Sequence, residues 1–252
     1  MVVLQDPAND DKGPGTYTYP SNPVYTPGSF DLRSLEVEAK GSTVEFRVEV
    51  DQRIDDAWDS KAWGGNGFSI QMAFIHIDTG EGGATTGMPG TNVRFAEDQA
   101  WNKVVIISPQ GPTRVNSEVD AKAPDVKDLV IVPKLTRARG RTLTAVVSTE
   151  DLGGLPSEGW GYQVLMQSNE GFPGKTDLLT RKVNEFEGEH RFGGGTDFDN
   201  DPHVMDIFAG SAKGAAGEVQ AQYDALAAYN SDAGEDATAE DLAVVPMIYP
   251  GS

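Results

Sequence analysis

Cysteine is absent from the 252 residues, and histidine occurs only 3 times. Without thiolates there are no disulfides, no thiol nucleophile, no iron–sulfur cluster and no structural zinc of the usual kind. Basic residues are also scarce, with 20 Lys and Arg against 39 Asp and Glu and a net charge of −19. A surface of that sign repels polyphosphates, which argues against nucleic acid and anionic lipid as partners. No apolar run approaches the ~18–20 residues of a membrane span. Met1, Val2, Val3 and Leu4 are too short an apolar start for a secretory signal, so neither membrane insertion nor a signal peptide is expected of this chain.

Catalytic signatures are missing too. Gly193, Gly194 and Gly195 stand in neither a dinucleotide nor a phosphate-loop context. No G-x-S-x-G occurs, and His76, His190 and His203 lie far apart in sequence. Two carboxylates suffice for glycoside hydrolysis, but with 39 acidic residues some suitable pair arises by chance. The expectation is a chain that is not an enzyme.

What is present is turn chemistry. Gly 29 and Pro 15, with 38% apolar and 23% charged residues, allow a core and favour many short strands over long helices. A single domain over 1–252 is expected. Leu35 and Val37 alternate with Glu36 and Glu38, and Val44, Phe46, Val48 and Val50 alternate with Glu45, Arg47 and Glu49. Period 2 makes this a hairpin with one face on a core and its charges in water. Further strands are expected at 67–78 (GFSIQMAFIHID), 103–108, 128–133, 141–148 and 161–168. Only 217–229 has helical spacing, through Val219, Tyr223 and Leu226. Short strands without βα alternation indicate an all-β sandwich with one short helix near the C-terminus.

Three constellations could carry function. Asp6, Asn9, Asp10 and Asp11 crowd the start of the chain ahead of Gly13, Pro14 and Gly15. Hard cations take carboxylate, amide and carbonyl oxygens from such loops, and the same residues also make ordinary turns. The chain's acidity divides the same way, between divalent-cation binding and simple solubility. Asp197, Asp199 and Asp201 have the spacing that opens an EF-hand loop, but Pro202 stands where that loop needs Gly and Phe208 where it needs Glu. A looser second cation site or a solvated turn are the alternatives there. Trp58 and Trp63 fall in the polar, Gly-rich stretch 55–66, where an exposed indole could stack on a sugar ring. Trp101 precedes an apolar strand and reads as core; His76, Met72, Met166 and Met205 read as packed rather than as metal or haem ligands.

The string DPANDDKGPGTYTYP…PGSFDL, the GFSIQ…IHID strand, the MPGTN loop and the later GGGTDFDNDPHVMD resemble the C-terminal module of glucodextranase, also found in amylopullulanases. The resemblance spans about 5–249. It implies an immunoglobulin-like or DOMON-like β-sandwich related to family 9 carbohydrate-binding modules, opened by a calcium-loop segment at 5–31. It also implies a non-catalytic accessory domain, extracellular or at the cell surface, that contacts polysaccharide or a cell-envelope component and is fused to or associated with a glycan-active enzyme. Calcium goes with that fold, so the resemblance favours calcium on Asp6, Asn9, Asp10 and Asp11, with Asp31 as a later ligand. The alternative function is a structural surface subunit, in an envelope layer or filament, that works through protein–protein contacts.

Overall fold

A computed structural model describes residues 1–196 and 200–251, apart from the Glu235 side chain. In chain order, β1 (Val2–Gln5), β2 (Leu32–Lys40), β3 (Thr43–Val50), β4 (Gln71–Asp78), β5 (Val93–Arg94) and β6 (Lys103–Ile107) lead to helix α1 (Pro112–Lys122). Then follow β7 (Val130–Ile131), β8 (Leu135–Arg139), β9 (Thr142–Ser148), the single turn α2 (Thr149–Leu152), β10 (Gly161–Ser168), α3 (Gly217–Ala227) and β11 (Ala243–Val244). The strands form one sheet in the order β1-β2-β3-β9-β8, a second in the order β10-β4-β6-β7, and a parallel pair of β11 with β5.

The hairpin alternation sets the first layer. Leu35 pairs with Val48 and Val37 with Phe46, and these side chains are fully buried, whereas Glu36, Glu45, Arg47 and Glu49 face outward. Arg47 bridges Glu36, Glu38 and Glu45 on that wet face. The inner face packs on Ala73, Ile75, Ile77, Val105, Ile107, Tyr162 and Val164 of the second sheet. That contact makes the two sheets a β-sandwich.

The second sheet is covered on both faces, which is why β4 and β10 are buried at every position. Its far face, with Phe74, Val104, Ile106 and Leu165, packs against Val115 and Val119 of α1, Leu226 of α3 and Trp101. Helix α1 adds to the single helix read from sequence. Its apolar signal is only Val115 and Val119, one turn apart, behind a Pro at the first helical turn. The stretch 128–133 keeps just two strand residues in β7, which pair in parallel with β6. Among the described residues, no helix is long and apolar enough to cross a membrane.

Candidate functional sites

The opening segment brings four carboxylates together. Asp6 follows β1 and is anchored by its N–H to the Arg33 carbonyl (3.0 Å). Asn9 takes a left-handed turn, φ 70°, so that its N–H donates to Asp31 Oδ2 at 2.7 Å. Its own side chain is exposed, so Asn9 shapes the loop through its backbone. The Asp10 carbonyl accepts from Gln222 Nε2 of α3 at 2.7 Å. Asp11 is buried, and its Oδ2 accepts the Tyr19 hydroxyl.

One participant was not assigned from sequence. Asp206 is fully buried, its Oδ2 accepting the Leu32 N–H at 2.7 Å and its Oδ1 the Ile207 N–H at 2.9 Å. Carboxylate oxygens of Asp6, Asp10 and Asp206 lie within 4.8 Å of one another. Asp206 closes the GGGTDFDNDPHVMD segment, but nothing in that string says that its last residue folds back onto the first ten.

The electrostatics of this pocket are severe. Asp6 Oδ2, both Asp10 side-chain oxygens and Asp31 Oδ1 are buried without a hydrogen-bond donor. Burial and the neighbouring carboxylates raise Asp10 to about 6 and Asp31 to about 7. Asp6 and Asp206 are pushed well above the usual range by burial first and by repulsion from neighbouring carboxylates second, Asp10 leading for Asp6 and Asp6 for Asp206. Arg33 approaches Asp31 at 3.8 Å and does not balance five carboxylates. Nearby Glu218 makes the contrast. It is also buried, though less deeply, and its oxygens accept from Ser211, Lys213 and Ala215. A satisfied carboxylate needs no further partner, whereas orphaned buried oxygens do. An all-oxygen set without His or Cys suits a hard cation of the calcium class over zinc.

The second cation candidate is only partly covered, because Asp197 and Asp199 lie outside the described residues. Asp201 is buried, and its carboxylate accepts the Thr196 N–H and hydroxyl, each at 3.2 Å, as a loop-capping residue does.

The tryptophan loop builds a different kind of site. Asp56 accepts Ser60 N–H (2.8 Å), Ser60 Oγ (3.0 Å) and Ser69 Oγ (2.7 Å). Ser69 Oγ in turn accepts the Trp58 N–H at 3.0 Å. Trp63 Nε1 donates to the Trp58 carbonyl at 3.3 Å, leaving the indole 44% exposed. Asn66 Nδ2 ties this loop to the Ser108 and Gln110 carbonyls. Across from it stand Phe172, 95% exposed, with Asn169, Glu170, Arg181 and His190. Together with Gln110 and Arg114 they enclose a cleft of about 750 Å³.

The cleft floor is packed with rings and ion pairs. Half-buried Trp58 packs edge-on against Tyr25 and His190, over the small cluster of Tyr17, Phe30, Ile70 and Phe192. Arg181 donates to Glu170 and to the His190 carbonyl, both at 2.7 Å, and lies over the Tyr25 ring. Apolar planes flanked by amides and charges are what a sugar's C–H faces and hydroxyls require. Phe172 carried the same signal as Trp63, an aromatic inside a Gly/Pro turn. Trp101 and Trp160 are buried in the core, and His76 packs among Phe74, Phe95 and Trp101, where burial lowers it to about 3.

Residues 1–243 match the family described as the C-terminal binding-module, SLH-like, of glucodextranase. No curated protein matches the chain significantly.

Proposed function

The chain belongs to the family of glucodextranase C-terminal binding modules, and from that premise we propose that it is a non-catalytic module, one domain over its length, that holds polysaccharide in the Trp58–Trp63 cleft. Its setting in this reading is extracellular or cell-surface, on a glycan of the envelope or beside a glycan-active enzyme. The observation that carries the reading is the pair of exposed aromatics, Trp63 and Phe172, on one cleft lined by Gln110, Asn169 and Glu170. Exposed aromatics gathered along one groove mark a binding surface, as singly scattered ones do not.

Calcium is the proposed stabiliser, held by Asp6, Asp10, Asp31 and Asp206, with Asp11 bonded to Tyr19 behind them. The orphaned buried oxygens support this. The ion would neutralise the cluster and fasten the opening segment to β2 and to the 200–210 stretch. It has no catalytic part in the proposal.

The assembly alternative has less behind it. In the first sheet the edge strands β1 and β8 are four and five residues long and β8 carries Arg137 and Arg139, while the longer edge β10 of the second sheet is bridged at Tyr162 and Met166 by Ile248 and Asp206, features that discourage edge pairing. The test is co-sedimentation with insoluble starch, cellulose, chitin and isolated cell-wall polymers. Retention on at least one, released by its soluble fragments, is expected; retention on none contradicts the reading.

A further inference from the structure

We propose that the binding face runs past the cleft to Phe186 and takes a long, uncharged, linear glycan chain rather than a mono- or disaccharide, an inference that rests on the cleft reading above and deepens it. Among the described residues, the exposed Trp and Phe side chains are Trp63, Phe172 and Phe186, the last 66% exposed. Trp63 and Phe172 line the cleft, which shares Glu170, Phe172, Arg181 and His190 with a second hollow that reaches Asn184 and Arg191. Phe186 stands at the rim of that hollow. It follows Asn184 by two residues, and its carbonyl accepts Arg191 Nε at 2.9 Å.

A hydrogen-bonded wall joins Phe172 to Phe186. The Phe172 N–H donates to Glu170 Oε1 at 3.0 Å. Arg181 holds Glu170 Oε2 and the His190 carbonyl, and the next residue, Arg191, holds the Phe186 carbonyl. The Phe186 loop is also fastened from behind, where the Glu185 carbonyl accepts the Gly194 N–H at 3.0 Å and the Gly188 carbonyl the Ser21 N–H at 2.9 Å. An apolar ring presented to water by a loop fixed in this way loses little freedom when a ligand covers it. Aromatics set along one face, with the amide of Asn169 and the carboxylate of Glu170 beside them, match a chain that repeats a C–H face and hydroxyls at every ring. Glu185 and Glu187 flank Phe186 and are exposed, in a chain of net charge −19. They repel a polyanion, so the chain that fits is uncharged.

The test titrates the full chain calorimetrically with ladders of malto-, cello- and chito-oligosaccharides, and with sized fragments of any cell-wall polymer that retains it. On the ladder that binds, affinity is expected to rise about tenfold between about three and about seven units, as one further stacked ring allows. Phe186→Ala should cut that ratio to about twofold or less, and Phe186→Trp should keep it. Both variants should melt with the parent, because the ring is at the surface. A ratio near one in the parent, or a ratio unchanged in Phe186→Ala, overturns the inference and leaves the cleft reading standing where Trp63→Ala weakens binding at every length. Binding of no ladder and no polymer overturns both. Self-association abolished by Phe186→Ala would then give the aromatic row to a second copy of the chain.

Discussion

Asp6 and Asp206 come from opposite ends of the chain, yet their carboxylate oxygens meet within 4.8 Å of each other and of Asp10. The juxtaposition joins β1, the opening loop and the strand-like stretch beside β10, where Met166 bridges to Asp206. Like charges at that distance, buried, oppose folding unless something neutralises them.

Calcium is expected to raise the melting temperature. Bound at about 100 times its dissociation constant, it adds about 2.7 kcal/mol if the unfolded chain does not bind it. For a domain of this size that is a shift of about 5–10 °C. Differential scanning fluorimetry with calcium and with EDTA reads the shift, and Asp10→Asn, which removes a carboxylate with two orphaned oxygens, should abolish most of it. An identical melting temperature with and without EDTA, and no metal by elemental analysis, would reduce the cluster to turn chemistry.

The metal effect should depend on pH. Asp10 and Asp31 sit at about 6 and about 7, above the ~3.9 of an unfolded Asp. Between those values the native chain binds more protons, so without metal their contribution to stability declines as pH rises through 6 and 7. Calcium competes with those protons. The increment of calcium over EDTA should therefore be small near pH ~5 and large near pH ~8. An equal increment at both pH values would contradict the assignment.

Two tryptophans should respond in opposite ways to truncation. Trp63→Ala is expected to leave stability within about 0.5 kcal/mol, because the residue is already 44% exposed and lies outside the core, and to remove glycan retention. Trp101→Ala empties a fully buried site and should cost about 3–5 kcal/mol. Thermal melts and co-sedimentation of the two variants, run together, check both outcomes.

Asp56 is expected to position the aromatic platform without touching glycan. Asp56→Ala leaves the buried Ser60 hydroxyl without its acceptor, at about 1–3 kcal/mol. Binding should weaken about tenfold as the indoles lose their fixed geometry. Asp56→Asn, which retains one acceptor oxygen, should recover part of it. Unchanged affinity in Asp56→Ala would show that the loop holds its shape by other means.

The hairpin β2–β3 was legible because one face is wet, and alternation at Leu35, Val37, Val44 and Phe46 then has a single solution. Strands β4 and β10 were legible as apolar runs, though not the reason they are buried on both faces, since α1 and α3 cover them. Helix α1 was missed because a charged surface helix needs only Val115 and Val119 to attach it. Most of the carboxylate cluster was visible as local crowding at Asp6, Asp10 and Asp11. Asp206 was not, because a contact between distant segments leaves no periodic trace. The cleft was half visible: Trp58 and Trp63 stood out in a polar loop, whereas Arg181 and His190 acquire meaning only when the 169–192 stretch folds across from them.

The most direct test of the glycan-binding account is a tryptophan fluorescence titration with soluble fragments of whichever polymer retains the protein. Trp101 and Trp160 are buried away from solvent, so a saturable change in emission reports Trp58 and Trp63. The account predicts such a change in the parent and its disappearance, together with binding, in Trp63→Ala. Saturable binding of the same fragments with no change in emission, or binding undiminished in Trp63→Ala, would place the glycan elsewhere and contradict it.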